Sequence, residues 1–399
     1  MIPFKEAMDL VLGCTTSFGE EKVSFNNAVG RILAEPIFAD RDFPPFNRST
    51  KDGIAINYAA IEKGISEFLI EGVSPAGGLQ NNLVNTDACI EIMTGAVVPK
   101  NGDTVIMYEH IKIENNTAKL LKPVKKGQNV HQKGSDEPKG AVVLNAGLKI
   151  GAAEIGVLAS VGKTEIVVKK LPKICLISTG NELVAVNDIP KPHQIRQSNS
   201  HTLKAALLEE HILADIIHIT DDKNTIKIAL QNALKQYDVL LLSGGVSKGK
   251  YDYLPEVFEE IGVEKVFHKV KQRPGKPFWF GSHKASETTI FAFPGNPAST
   301  FANFHVYFKA WLNKSLGLST TEINVILNEA FENTTDLTRF IRAKATIDSG
   351  RLIVSLIQGN GSGDLTSLSK ANGFVLFEPN SINKVGAVVP FIPTRNIFK

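Results

Sequence analysis

Between Lys173 and Leu316 five short apolar runs, KICLIST, ADIIHIT, YDVLLLSGG, EKVFHKV and TTIFAFPG, are separated by stretches with helical periodicity. Apolar runs of strand length that alternate with helices suit strands covered on both faces. The segment therefore predicts a doubly wound α/β domain with a parallel sheet. The clearest helix covers 222–236, where Asp222 is placed to cap and Ile226, Ala229, Leu230, Ala233 and Leu234 fall on one face. A second helix starts near 198–200. A long one over 297–317 carries Pro297 in its first turn, where a missing N–H costs nothing.

The flanks follow a different pattern. From Ser24 to about Ile166 the chain is rich in short β-type runs (AVGRILAEPIFA, CIEIMTGAVV, DTVIMYEHIKI) broken by Gly, Pro and Asn, and a helix is expected at 151–162. From about Ser319 five short β runs spaced by turn residues suit a small barrel or sandwich. A chain of 399 residues is long enough for several such domains, each with its own core. Phe4, Met8 and Leu12 are spaced for an amphipathic N-terminal helix without the features of a signal peptide. No apolar run approaches the ~18 residues of a membrane span, so the expectation is a cytoplasmic protein with no membrane partner.

Forty-four basic and 41 acidic side chains leave a net charge of +3, which argues against a nucleic-acid surface and requires any anionic ligand to be held locally. Cys14, Cys89 and Cys175 are too far apart for a zinc site or a disulfide framework. Local anion holding is where the α/β segment stands out. Three glycine-bearing turns follow its strands: STGNEL at 178–183, SGGVSKGKYDY at 243–253 and PGNPAS at 294–299. Ligands of open α/β sheets bind at such strand ends, and the paired Gly244 and Gly245 let backbone N–H groups approach an anion. Ser243 and Ser247 flank them. The third turn opens the long helix, whose N-terminal dipole favours an anion.

QRPGKP at 272–277, preceded by Lys269 and Lys271, adds clustered positive charge on a Pro-Gly backbone. Glu182, Asp221, Asp222 and Asp252 are all expected at strand ends or helix starts on the same side, so two or three can converge on Mg²⁺ beside a phosphate. Helix capping is the competing role for Asp222 and Asp252. Elsewhere, Asp52 before Gly53 is ordinarily a turn aspartate, and GNGSGDLTSL at 359–368 is either a flexible hairpin or an anion nest.

Taken in order, PFNRSTKDG, IMTGAVVP, GSD, STGNEL, IRQSN, SGGVSKGKYDY, KQRPGKP, FPGNPAS and GSGDLTSL resemble the MoeA family of molybdopterin molybdenumtransferases, relatives of the gephyrin E domain, nearly end to end. The resemblance implies a multidomain α/β plus β fold with four parts. These are an N-terminal linker and dimerisation domain (1–40 with 140–170), a β-rich inserted domain (41–139), a MogA-like molybdopterin-binding α/β domain (171–317) and a C-terminal β-barrel (318–399). It implies insertion of molybdate into adenylylated molybdopterin with Mg²⁺-dependent release of AMP, by an elongated homodimer whose site combines one subunit's α/β domain with the other's β-rich domain. A MogA-like adenylyltransferase and apo-molybdoenzymes are the implied partners.

Carried over by position, the family's functional residues fall on Asp52, Thr94, Asp136, Glu182, Asp222 and Asp252, with Glu182, Asp222 and Asp252 as the metal set. Ligand contacts fall on Lys269, Arg273, Lys276, Pro294, Pro297, Ser299 and Ser362. The chain departs from the family at Thr50, Lys51 and Ile54 around Asp52, at His131 and Arg273, where arginine and lysine are usual, and at Gln197, where an aspartate is common. Two other readings compete. An adenylyltransferase shares the doubly wound domain but is typically a single domain, and a scaffold or cofactor carrier would not need Asp52, Glu182, Asp222 and Asp252 together.

Overall fold

A computed structural model describes residues 1–247, 252–319 and 321–397. The chain forms two compact units. One comprises Met1–Glu21, Gly30–Ile32 and Val168–Lys399, and the other Lys22–Val29 and Leu33–Val167.

The larger unit starts with helix α1 (Phe4–Gly13), which buries Ala7 and Val11. Strands β1 (Ile174–Thr179), β2 (Ala214–Ile219), β3 (Val239–Ser243), β4 (Glu264–His268), β5 (Trp279–His283) and β6 (Thr288–Phe293) form one sheet in the order β2-β1-β3-β6-β5-β4. The first four in that order are parallel, as the alternation of apolar runs and helices predicts. The last two are antiparallel: β5 returns to β6 through a short turn and β4 pairs with β5. The central strands β1, β3 and β6 are buried at every position. Their side chains alternate between two cores. Ile174, Leu176, Leu241, Phe291 and Phe293 pack on one face, and Cys175, Ile177, Leu240, Leu242 and Ala292 on the other.

Helices α2 (Asn199–Leu208) and α3 (Lys223–Leu234) bring Leu203 and Leu207 to the first face and Ile226 and Leu230 to the second. α4 (Leu254–Glu260) supplies Leu254, Val257 and Phe258 to the second face. The expected long helix is continuous but not uniform: α5 (Pro297–Asn303) passes through a π-helical turn, Phe304–Phe308, into α6 (Lys309–Ser315).

The five C-terminal runs close a barrel. β7 (Ile323–Leu327), β8 (Thr338–Asp348), β9 (Arg351–Leu356), β10 (Gly373–Phe377) and β11 (Val388–Pro393) follow the order β8-β9-β7-β11-β10, and β10 pairs back to β8. Val325, Ala343, Val354, Val375 and Phe391 fill it. Closure leaves no free edge on these strands.

The smaller unit is built on a six-stranded sheet in the order 104–107, 53–56, 89–92, 67–74, 117–120, 111–114. Gly53–Ile56 is buried at every position. Ile54 and Ile56 pack with Phe68, Cys89 and Ile106 on one side, and Ala55 packs with Ile92 and Val105 on the other. Its longer helix, Ala152–Ser160, starts where Glu154 reaches back to accept the Gly151 N–H at 2.8 Å. No described helix is long and apolar enough to cross a membrane.

Candidate active site

In the larger unit the parallel register brings the ends of three strands together, since Ser178 of β1 lies beside Ser243 of β3, and Ser243 beside Phe293 of β6. Each strand then enters a glycine turn. Gly244 and Gly245 have φ of +99° and +70°, a left-handed backbone that strongly favours glycine. Space imposes the same demand, because a Cβ on Gly244 would stand 2.8 Å from the Thr179 carbonyl and one on Gly245 2.9 Å from Leu254 Cδ1. The Gly244 N–H donates to Phe293 O at 3.1 Å. Asn199, at the start of α2, donates to both Ser243 Oγ and Gly295 O at 2.7 Å, fixing the second and third turns to each other. His268 supports the second turn through Nε2, 2.8 Å from Val246 O, and burial holds its pKa below the ordinary value.

Positive charge comes from two chain segments. Gln272–Arg273 pairs in parallel with Thr338–Arg339, which sets Arg273 beside Arg339 of β8. Arg342, further along β8, donates to Gly361 O at 2.8 Å. Both barrel arginines keep a buried Nε without a partner among the described residues. Burial lowers their proton affinity, and at Arg339 the nearby Arg273 lowers it further, yet a guanidinium stays charged at any neutral pH.

The 359–365 loop of the barrel closes over the start of α5. Asn296 Nδ2 donates to Ser362 Oγ at 2.9 Å, and the Ala298 N–H to Ser362 O at 3.0 Å. Asp364 keeps this loop folded by accepting the N–H groups of Asn360 and Ser367 and the Thr366 hydroxyl. Those donors hold its carboxyl far below the usual carboxylate range.

Between these elements lies a cleft of about 1220 Å³. Of the residues singled out in the sequence, Glu182, Asp252, Ser243, Gly244, Gly245 and Ser247 line it. So do Arg273, Lys276, Pro294, Pro297, Ser299 and Ser362. Residues 248–251 of the second turn lie outside the described residues. Asp221, Arg339 and Arg342 also line the cleft. The two arginines escape sequence reasoning because TRFIRAK reads as an ordinary barrel strand. Two cations three apart within an apolar run were the available signal.

Other expected residues stand elsewhere. Asp222 does not line the cleft: its Oδ1 caps α3, accepting the Thr225 N–H at 2.8 Å and hydroxyl at 2.7 Å, which lowers its pKa. Its neighbour Asp221 takes the cleft position. Lys269 does not line the cleft either, and its N–H is used by Phe278 O at 2.8 Å. Asp252 was the expected cap of α4, but the N-cap is Tyr253, with no side-chain cap bond. Among the described residues no group of three or more His, Cys, Asp or Glu side chains is gathered closely enough to hold a metal ion, so Glu182, Asp222 and Asp252 form no protein cage. Glu182, Asp221 and Asp252 instead line one cleft as separate oxygen donors. That set fits Mg²⁺, which commonly takes one or two carboxylates and fills its shell with water and substrate phosphate.

Asp52, Thr94 and Asp136 belong to the smaller unit. Asp52 Oδ1 accepts the Thr94 N–H at 2.6 Å, and its pKa is lowered by that contact. His131 Nε2 lies 2.7 Å from Asp136 Oδ1 and its Nδ1 3.2 Å from Arg48 Nη2. Because guanidinium only donates, Nδ1 must accept and Nε2–H must donate to Asp136.

Comparisons with known proteins cover nearly the whole chain. Residues 2–162 match the MoeA N-terminal region (domain I and II), 175–314 a probable molybdopterin binding domain, and 324–394 the MoeA C-terminal region (domain IV). A protein of Synechocystis sp. named molybdopterin molybdenumtransferase is 36% identical over 98% of this chain and 99% of its own. One of the same name from Staphylococcus aureus is 33% identical over 99% and 96%. The solved molybdopterin biosynthesis moeA protein of Pyrococcus horikoshii OT3 superposes with a TM-score of 0.83 at 29% identity, covering 98% of this chain and 99% of that one.

Proposed function

This chain belongs to the MoeA family, and from that premise we propose that it is a molybdopterin molybdenumtransferase that inserts molybdate into adenylylated molybdopterin and releases AMP. The observation that carries this reading is one cleft lined by four carboxylates, Glu182, Asp221, Asp252 and Glu329, and five cations, Arg196, Arg273, Lys276, Arg339 and Arg342. An oxyanion and a phosphoanhydride need countercharge that is already in place, and a reaction that parts one polyanion into two needs it at both products. Its volume is ample for a nucleotide-sized ligand.

Each part of the cleft then has a task. Arg273 and Lys276, on a loop, and Arg339 and Arg342, on a barrel strand, bind and orient molybdate and phosphate. The Gly245 N–H and the hydroxyls of Ser299 and Ser362 take further anionic oxygens. One or two of Glu182, Asp221 and Asp252 would hold Mg²⁺ together with phosphate oxygens, and when bound it would screen the charge of the anhydride. Asp52, Thr94 and Asp136 are proposed to contribute from the β-rich domain of the partner subunit in the homodimer.

The protein acts in the cytoplasm as a homodimer, fed by a MogA-like adenylyltransferase and delivering to apo-molybdoenzymes. Light scattering should give twice the 43.4 kDa chain mass. A chain mass at working concentration would remove the dimer from the proposal. In cells lacking their own family member, this chain should restore molybdoenzyme activity, and Asp252→Ala should not. Full restoration by Asp252→Ala would favour a noncatalytic carrier.

A further inference from the structure

The cationic loop of the cleft rests on a polar network set into an aromatic core. Gln272, Asn303 and Tyr307 are all fully buried. Gln272 Nε2 donates to Asn303 Oδ1 at 2.8 Å and to Pro274 O at 3.0 Å. The Tyr307 hydroxyl donates to Gln272 Oε1 in a short hydrogen bond, and Asn303 Nδ2 donates to Gly275 O at 3.2 Å. Burial pushes the Tyr307 pKa well above its ordinary value, so the phenol remains a donor. Its ring meanwhile packs 4.8 Å from Phe278.

Three polar side chains withdrawn from water among phenylalanines carry a desolvation cost that apolar residues in the same places would not. What the network holds is loop backbone. Its two main-chain acceptors, the carbonyls of Pro274 and Gly275, lie between Arg273 and Lys276. Gly275 has φ +88°, and a Cβ there would stand 2.3 Å from Asn303 Oδ1, so the amide lies directly against the loop. Strand alternation turns Gln272 inward and leaves Arg273 exposed. Tyr307 itself sits in the π-helical turn Phe304–Phe308, a distortion that recurs at functional sites.

We propose that Gln272, Asn303 and Tyr307 are positioning residues for the reaction: they fix the 273–276 backbone so that Arg273 and Lys276 meet the anionic substrate without rearranging. The proposal rests on the anion role given to that loop above. Charges held in advance cost no reorganisation when substrate charge arrives, whereas the same charges on a mobile loop lose part of their effect.

The test uses full-length protein in an AMP-release assay, with KM measured for molybdate and for adenylylated molybdopterin, on variants shown to be folded by circular dichroism. Arg273→Ala and Lys276→Ala identify which KM reports the loop. Tyr307→Phe, which removes one hydrogen bond, should raise that same KM by about fivefold, and Asn303→Ala, which removes two, by at least as much, each with kcat within about twofold.

Gln272→Glu adds a readout that simple destabilisation would not give. The ionised carboxylate has no donor for Pro274 O, whereas the protonated form has one. Its KM defect should therefore shrink as the pH is lowered from about 8 to about 6, burial raising the carboxyl pKa. An unchanged KM in Tyr307→Phe and Asn303→Ala, with Arg273→Ala still raising it, would overturn the positioning role alone. No effect of Arg273→Ala or Lys276→Ala would overturn the loop's anion role and the positioning role together.

Discussion

His305 is buried in the π-helical turn with both ring nitrogens unpaired among the described residues. Burial first, then Lys309 and Arg395, push its pKa down to about 3 from an ordinary 6.5. The folded chain therefore keeps it neutral where the unfolded chain protonates it. Between about 6.5 and about 3 the unfolded state binds the extra proton, so stability conferred at neutral pH is lost progressively as the pH falls through that window. Partly buried His268 acts in the same direction. His305→Leu should remove an unsatisfied polar group, leave neutral-pH stability unchanged or raised by about 1 kcal/mol, and flatten the acid limb of urea-denaturation stability against pH. An acid limb as steep as that of the unmodified chain would contradict this. Single positions also limited what the sequence disclosed. Asp221 and Asp222 are adjacent and chemically alike, and only the cap geometry at Thr225 separates the cleft carboxylate from the structural one.

At the scale of elements, KICLIST, YDVLLLSGG and TTIFAFPG became central strands buried on both faces, a property that local sequence carries. The antiparallel return of β5 was not legible. FWFGSH has no helix before β6, and nothing local tells a hairpin from a crossover. The placement of Arg339 and Arg342 was equally hidden, since it depends on a two-residue pairing between distant segments. GNGSGDLTSL could be read either as a flexible hairpin or as an anion nest. Asp364 folds this loop, and Asn296 ties its Ser362 to the start of α5. Asp364→Ala should therefore speed hydrogen exchange at the Asn360 and Ser367 amides while barrel strand amides stay protected. Protection unchanged at Asn360 and Ser367 would show that the carboxylate does not hold the loop.

At the scale of the whole molecule, the end-to-end run of motifs made family membership legible before any contact was known, and the full-length relatives agree with it. Sequence alone did not show that one cleft gathers four carboxylates and five cations from the α/β segment and the barrel. That gathering is the basis for assigning the chain a reaction on two anions. The most direct measurement is AMP release from purified protein given adenylylated molybdopterin and Mg²⁺, with and without molybdate. The account predicts release that starts on molybdate addition and matches the molybdenum incorporated. Release at the same rate without molybdate, or none with it, would contradict the assignment.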